Sequence, residues 1–273
     1  GVLLPGVQAN AIADSLQHSI GIAPTVSAAV VSILLAFVIF GGVKRIATVA
    51  EVVVPFMALA YIIVAMVIIL LHLGELPHVL GLIVRSAFGM DAGFGALLGL
   101  AIQWGVKRGV YSNEAGQGTG PHPSAAADVS HPAKQGLVQA FSVYIDTLFV
   151  CSATGFMLLI TGLYNVQDPH NADAYLYHGV NGVAAGPGYV QTAMENIMPG
   201  FGAMFVAVAL FFFAFTTIIA YYYMAETNVR YLSRTLKLEW MIPVLKIVAV
   251  GVAIYGSVKT ADLAWALGDL GVG

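Results

Sequence analysis

Charge is what this sequence most lacks. Asp, Glu, Lys and Arg make up 9% of its 273 residues, against about 25% in an average soluble domain. With 59% hydrophobic residues and a mean hydropathy of +0.87, an ordinary soluble enzyme is excluded. Cysteine is nearly absent too. Cys151 is the only one, which excludes an internal disulfide and a cysteine-based metal site. Its apolar flanks, Leu148-Phe149-Val150 and Ser152-Ala153, give it the expected place of a small buried residue. A net charge of −3 offers no basic surface for nucleic acid. No basic stretch precedes the first apolar run, so no secretory leader is expected. The histidines show no H-E-x-x-H spacing and no G-x-S-x-G occurs. The glycine-rich run Gly116–Gly120 follows no strand pattern and precedes no Lys-Ser/Thr, so a phosphate loop is excluded.

What the sequence does have is long apolar runs. A crossing takes about 20 residues, and seven segments can be drawn. These are A (residues 1–17), B (24–43), C (52–73), D (93–105), E (136–162), F (200–224) and G (241–257). The basic residues test this map. The B–C, D–E and F–G links hold Lys44, Arg45, Lys107, Arg108, Lys134, Arg230, Arg234 and Lys237, eight of the eleven. The opposite links hold Arg85 and Lys259. The positive-inside rule then places the basic links in the cytoplasm. Residues 76–88 mix apolar side chains with His78 and Arg85 and read as a short interfacial helix. Residues 164–199 lack Lys and Arg and read as an outer lid or loop.

Segment D is too short. Its 13 or so residues make ~20 Å of helix against ~30 Å of hydrocarbon, and glycines interrupt its continuation. That pattern fits a broken helix of a secondary transporter, or a re-entrant helix beside a loop. Unwound backbone at Gln103-Trp104-Gly105 would offer N–H groups to a carboxylate, with the Gln103 amide as a further donor. Asp146 lies near the middle of E, where a carboxylate costs roughly 2.5–3.5 kcal/mol. Two readings stay open for it: a cation or proton site or helix anchor, and a structural aspartate bonded to freed backbone of D. Thr216 and Thr217 place two hydroxyls in a very apolar helix, either as cation ligands or bonded back to that helix. Tyr221 lies one turn beyond Thr217. Gln8 and Asn10 are amides in an apolar context, where helix–helix hydrogen bonding is the alternative to a ligand role.

Together these stretches resemble one family. Ser112-Asn113-Glu114-Ala115-Gly116-Gln117-Gly118, followed by Ser124-Ala125-Ala126-Ala127, is similar to the SNEAGxG…AHAAA stretch of the alanine or glycine:cation symporters, the sodium:alanine symporter family. Val7-Gln8-Ala9-Asn10, Gly41–Ile46 with Val49–Ala58, Lys134–Leu137, Ile145–Leu148 and Phe213–Ile218 with Glu226 each resemble further motifs of that family. The likeness covers essentially the whole chain. It departs at Thr119–Pro123 and at Tyr221, where tryptophan is usual in the family, and that change bears on pocket size.

The resemblance implies an all-α polytopic membrane protein with about seven transmembrane segments of a partial leucine-transporter-like inverted-repeat bundle. Residues 1–73 would end the first repeat and 74–92 form an interfacial link. Residues 93–257 would hold an incomplete second repeat and 258–273 an external tail. It implies substrate contacts from Ile102, Gln103, Gly105, Gln8, Asn10, Thr217 and Tyr221, and sodium ligation by Thr216 and Thr217. Asp146, Asn113 and Glu114 take structural or coupling roles. The function implied is symport of alanine or glycine with Na⁺ by alternating access, in a bacterial or archaeal plasma membrane. No enzyme activity, cofactor or nucleic-acid partner is implied, and the partners are the amino acid, Na⁺ and the bilayer. Proton coupling and a passive channel are the alternatives. The first broken helix of that fold is missing from the chain, so it is expected to be about two thirds of a transporter, with no coupled transport by itself.

Overall fold

The computed structural model describes residues 4–88, 105–106, 109, 112–114, 118–168, 171–183, 186–236 and 238–259. It divides into two units. One comprises residues 1–60 and 165–270, the other 61–164 and 271–273. Among the described residues, four helices are long and apolar enough to cross a membrane: Val43–Leu71, Pro132–Thr161, Gly202–Leu236 and Met241–Val258.

In the first unit, α1 (Leu4–Ile20) ends at Gly21, whose φ of +69° suits glycine. α2 (Pro24–Phe40) starts with proline in its first turn, where the missing N–H costs nothing. The C-terminal end of α2 is closed by Arg45. Its Nη1 donates to the Phe37 carbonyl at 2.7 Å and its guanidinium lies 4.6 Å from the Phe37 ring centroid. α3 (Val43–Leu71) contains Pro55, so the Glu51 carbonyl loses its helical partner there.

A hairpin follows in the chain, β1 (Asn165–Asp168) antiparallel to β2 (Asn171–His178). The Asn165 side chain closes its open end. Its Oδ1 accepts from the Gly179 and Val180 N–H groups and its Nδ2 donates to the Val180 carbonyl. Next come α8 (Pro187–Ile197), α9 (Gly202–Leu236) and α10 (Met241–Val258). The described residues between 164 and 199 thus hold a hairpin and a helix, and among the described residues the hairpin departs from the all-α expectation.

The core of this unit is one stripe from each helix. It joins Ala9 and Ile12 of α1, Val31, Leu35, Val38 and Ile39 of α2, and Ile46 of α3. From α9 come Ala214, Phe215, Ile218, Ile219 and Tyr222, and from α10 Ala249 and Ala253. The spacing is three to four residues throughout, the face of a helix. The opposite faces are apolar too: Ile33, Phe37, Phe40 and Ile247 are exposed. A helix that is apolar all round belongs in lipid, and the chain is a multi-pass membrane protein by this composition.

In the second unit, α4 (Leu76–Phe88) has the bounds expected of the short helix. α5 (Pro121–Ala125) leads to α6 (Pro132–Tyr144), whose His131 cap accepts the Ala133 N–H. A π-helical turn, Ile145–Cys151, joins α6 to α7 (Ser152–Thr161). Tyr61 is held to α7 by its hydroxyl, which donates to Thr154 Oγ1 while Thr154 donates to the Val150 carbonyl.

The corner between α8 and α9 yields a prediction. The Glu195 carboxylate accepts the N–H groups of Gly200 and Ala203 at the start of α9. Those two bonds hold its carboxyl below the usual carboxylate range. A lowered native value means that the stabilisation is complete above the ordinary range and is lost as pH falls through the lowered value. Glu195→Gln should therefore lower the melting temperature at neutral pH and reduce its acid dependence. An unchanged acid limb in thermal unfolding scans would contradict this.

Candidate functional site

The expected site residues fall in both units. Gln8 and Asn10 lie on α1, half-buried, on either side of the core residue Ala9. α1 runs parallel to α10 at backbone contact. A Cβ added at Gly256 would overlap the Gly6 carbonyl, and Ser257 Oγ donates to the Ala9 carbonyl at 3.4 Å. The small residues Gly6, Gly256 and Ser257 allow that approach. Asn10 Nδ2 reaches the Lys259 carbonyl at the end of α10, at 3.0 Å. It thus ties two helices, as an amide in an apolar setting does.

On α9, Thr216 donates to the Phe212 and Phe213 carbonyls, and Thr217 to the Phe213 carbonyl at 2.8 Å. Both hydroxyls bond back to their own helix, so neither shows the division of roles that adjacent positions allow. A hydroxyl that donates in this way keeps its oxygen lone pairs as acceptors, and the pair remains chemically suited to a hard cation. Tyr221 is buried one turn further on. α1 and α9 pack against each other through Ala9, Ile12, Ala214, Phe215 and Ile218. The fold brings these helices together while Asn10 and the threonines point to different partners.

In the second unit, Ile102 and Gln103 lie outside the described residues. Gly105 is helical and exposed, with nothing within 4 Å of the place a Cβ would take. The better-defined constellation surrounds Asp146. Ser112 Oγ donates to Asp146 Oδ2 at 2.8 Å, and Cys151 Sγ lies 3.6 Å from the same oxygen. Asn113 Nδ2 donates to the Gly109 carbonyl at 3.0 Å and to Thr147 Oγ1 at 3.2 Å. Glu114, next in line, is half-buried with φ +51°. For an L-residue this left-handed backbone costs roughly 1–2 kcal/mol, and the anchored Asn113 beside it offsets that strain.

The π-helical turn makes the pairing possible. Its wider winding brings Asp146 and Cys151, five residues apart, to one place, and Ser152 Oγ caps the Thr147 carbonyl at 2.8 Å. Such turns recur at functional positions in helices. Among the described residues, Asp146 bonds to the side chains of Ser112 and Cys151, and residues 93–104 of segment D lie outside the described residues. Cys151 is exposed, a correction to its expected burial. Its neighbours Leu148 and Phe149 are exposed as well, because apolar flanks in a membrane helix mark lipid contact as readily as a core. Ser112, Thr147 and Cys151 were not among the expected site residues. The signal was present, since two motif stretches 34 residues apart each hold a pair of adjacent polar residues, but spacing alone does not reveal that they meet.

The family model described as "Sodium:alanine symporter family" matches residues 1–273. YrbD of Bacillus subtilis (strain 168) is 60% identical over 271 residues, covering 99% of this chain and 56% of that protein. The sodium/proton-dependent alanine carrier protein of Bacillus sp. (strain PS3) is 56% identical over 272 residues, covering 100% of this chain and 61% of that protein. The sodium/alanine symporter AgcS of Methanococcus maripaludis is 36% identical over 263 residues, covering 96% and 54%. The chain thus spans little more than half the length of these curated relatives.

Proposed function

The chain belongs to the sodium:alanine symporter family, and from that premise we propose that the protein carries a small neutral amino acid, alanine or glycine, inward with Na⁺. The observation that carries this reading is the family match along the whole chain, joined to 56% identity with a sodium/proton-dependent alanine carrier. The reading includes a leucine-transporter-like bundle of inverted repeats. About seven of its crossings come from this chain, with basic links in the cytoplasm of a bacterial or archaeal plasma membrane. The amino acid would be held by Ile102, Gln103 and Gly105, with Gln8, Asn10, Thr217 and Tyr221. The oxygens of Thr216 and Thr217 would ligate Na⁺.

The mechanism is alternating access without covalent chemistry. Na⁺ and amino acid each favour the same arrangement, so each raises the affinity for the other by the same factor. The sodium gradient then drives uptake. A proton-coupled version is supported by two relatives, the putative sodium/proton-dependent alanine carrier YrbD and the sodium/proton-dependent alanine carrier of Bacillus sp..

Proteoliposomes containing the full-length protein should accumulate alanine only with an inward sodium gradient. Equal uptake in potassium or choline would overturn the sodium claim. In the same assay Thr217→Ala should weaken apparent sodium affinity on the order of tenfold, about 1.4 kcal/mol, with a smaller change in alanine affinity at saturating sodium. An unaltered sodium dependence assigns Thr217 to packing.

A further inference from the structure

Glu226 lies on α9, outside the expected amino-acid and sodium sites. It is 1% exposed, the most deeply buried carboxylate among the described residues. Its two oxygens are in unlike surroundings. Oε1 accepts from both Nε and Nη2 of Arg230, at 2.8 and 2.6 Å. Oε2 has no hydrogen-bond partner. One turn back on the same buried stripe, Tyr222 is also 1% exposed, and its hydroxyl likewise has no partner. Four residues apart, the carboxylate and the phenol share one buried face of α9. Buried polar atoms are nearly always satisfied, so two adjacent orphans indicate a further occupant or a second hydrogen-bonded state.

We infer that Glu226 and Tyr222 form a reversible proton-binding site, in which a proton on Glu226 Oε2 is donated in a hydrogen bond to Tyr222 Oη. When the proton leaves, the phenol O–H turns to donate to the carboxylate. In each state one hydrogen bond joins the two orphan oxygens. Arg230 makes the neutral state tolerable, because its side chain is 59% exposed and stays solvated when the carboxylate loses its charge. The same guanidinium, 2.6 Å from Oε1, repels a metal cation, and two oxygens are too few to replace a cation's hydration shell.

The groups on the elements packed around α9 leave this chemistry to the pair. α2 carries no titratable residue. Asp14 and His18 of α1 are exposed and lie toward the end where Ser15 meets Gln191 of α8. Glu195 of α8 is bound at the other end of α9. On α3, Lys44 and Glu51 are exposed and Arg45 is engaged with Phe37. On α10, Lys246 sits over the Phe40 ring, 5.2 Å from its centroid, and Tyr255 is exposed.

The test is infrared difference spectroscopy of the purified full-length protein during a pH titration in water and in heavy water. It needs no transport, so its failure is distinct from failure of the symport reading. The expected result is a carboxylic-acid C=O band that appears on acidification, shifts in heavy water and is absent in Glu226→Gln. Tyr222→Phe should move that band to higher frequency, because the acid loses its acceptor. A band that persists in Glu226→Gln, or the absence of any titrating band, would overturn the site. If Glu226→Gln does not fold, the Tyr222→Phe shift decides, and an unmoved band refutes the pairing.

Discussion

Gly256→Ala should separate α1 from α10 and destabilise the protein. The added Cβ would meet the Gly6 oxygen, Cα and carbonyl carbon, all backbone atoms that cannot turn aside. Overpacking a tight contact costs typically 1–3 kcal/mol, and a backbone partner puts this position at the upper end. The cost spreads along the seam, where Ser257 bonds to Ala9 and Asn10 to Lys259. Gly251→Ala, on the same helix, is the matched control. A Cβ there meets nothing within 4 Å, and replacing a helical glycine gains up to about 1 kcal/mol. Thermal unfolding in detergent should therefore move the two alanine variants in opposite directions. Equal melting temperatures would show that α1 and α10 are not held at backbone contact.

The contrast between these glycines also shows what the sequence can and cannot convey. Hydrophobic period and proline position are local, so α2 beginning at Pro24 and α4 over Leu76–Phe88 follow from reading along the chain. The lid segment was harder. The β1–β2 hairpin is polar and short, and its closing residue, Asn165, acts through side-chain bonds to Gly179 and Val180 that no periodicity records. Burial was misread at Cys151 for a reason specific to membranes, where apolar neighbours face lipid as often as protein. Glu226 was legible only as the end of a motif. Its meaning depends on which of its oxygens Arg230 occupies, a fact of three-dimensional geometry. The amides of α1 and the threonines of α9 are legible in the sequence as polar groups in apolar helices. The partners of Asn10, Thr216 and Thr217 are those of helix packing, and a ligand role rests on the family relationship.

Asp146→Ala should free the segment around Ser112 from the π-helical turn. The carboxylate is the shared acceptor of the Ser112 hydroxyl and the Cys151 thiol, and hydrogen bonds to a charged group are worth roughly 1.5–3 kcal/mol. Loss of that restraint corresponds to about a tenfold or greater rise in the population of opened states, at 1.4 kcal/mol per factor of ten. Cys151 reports on the change directly, because it is the only cysteine of the chain and is already exposed. Its rate of maleimide labelling should rise by about that factor in Asp146→Ala. Ser112→Ala should give a smaller rise of the same sign. It removes the donor while leaving the charge beside the thiol, so it separates loss of the clasp from a change in local electrostatics. Asn113 still holds Thr147 in both variants, so the turn should stay folded and circular dichroism should be unchanged. If labelling is no faster in Ser112→Ala while Asp146→Ala accelerates it, the aspartate acts on the thiol alone and the two motif stretches are not clasped by it.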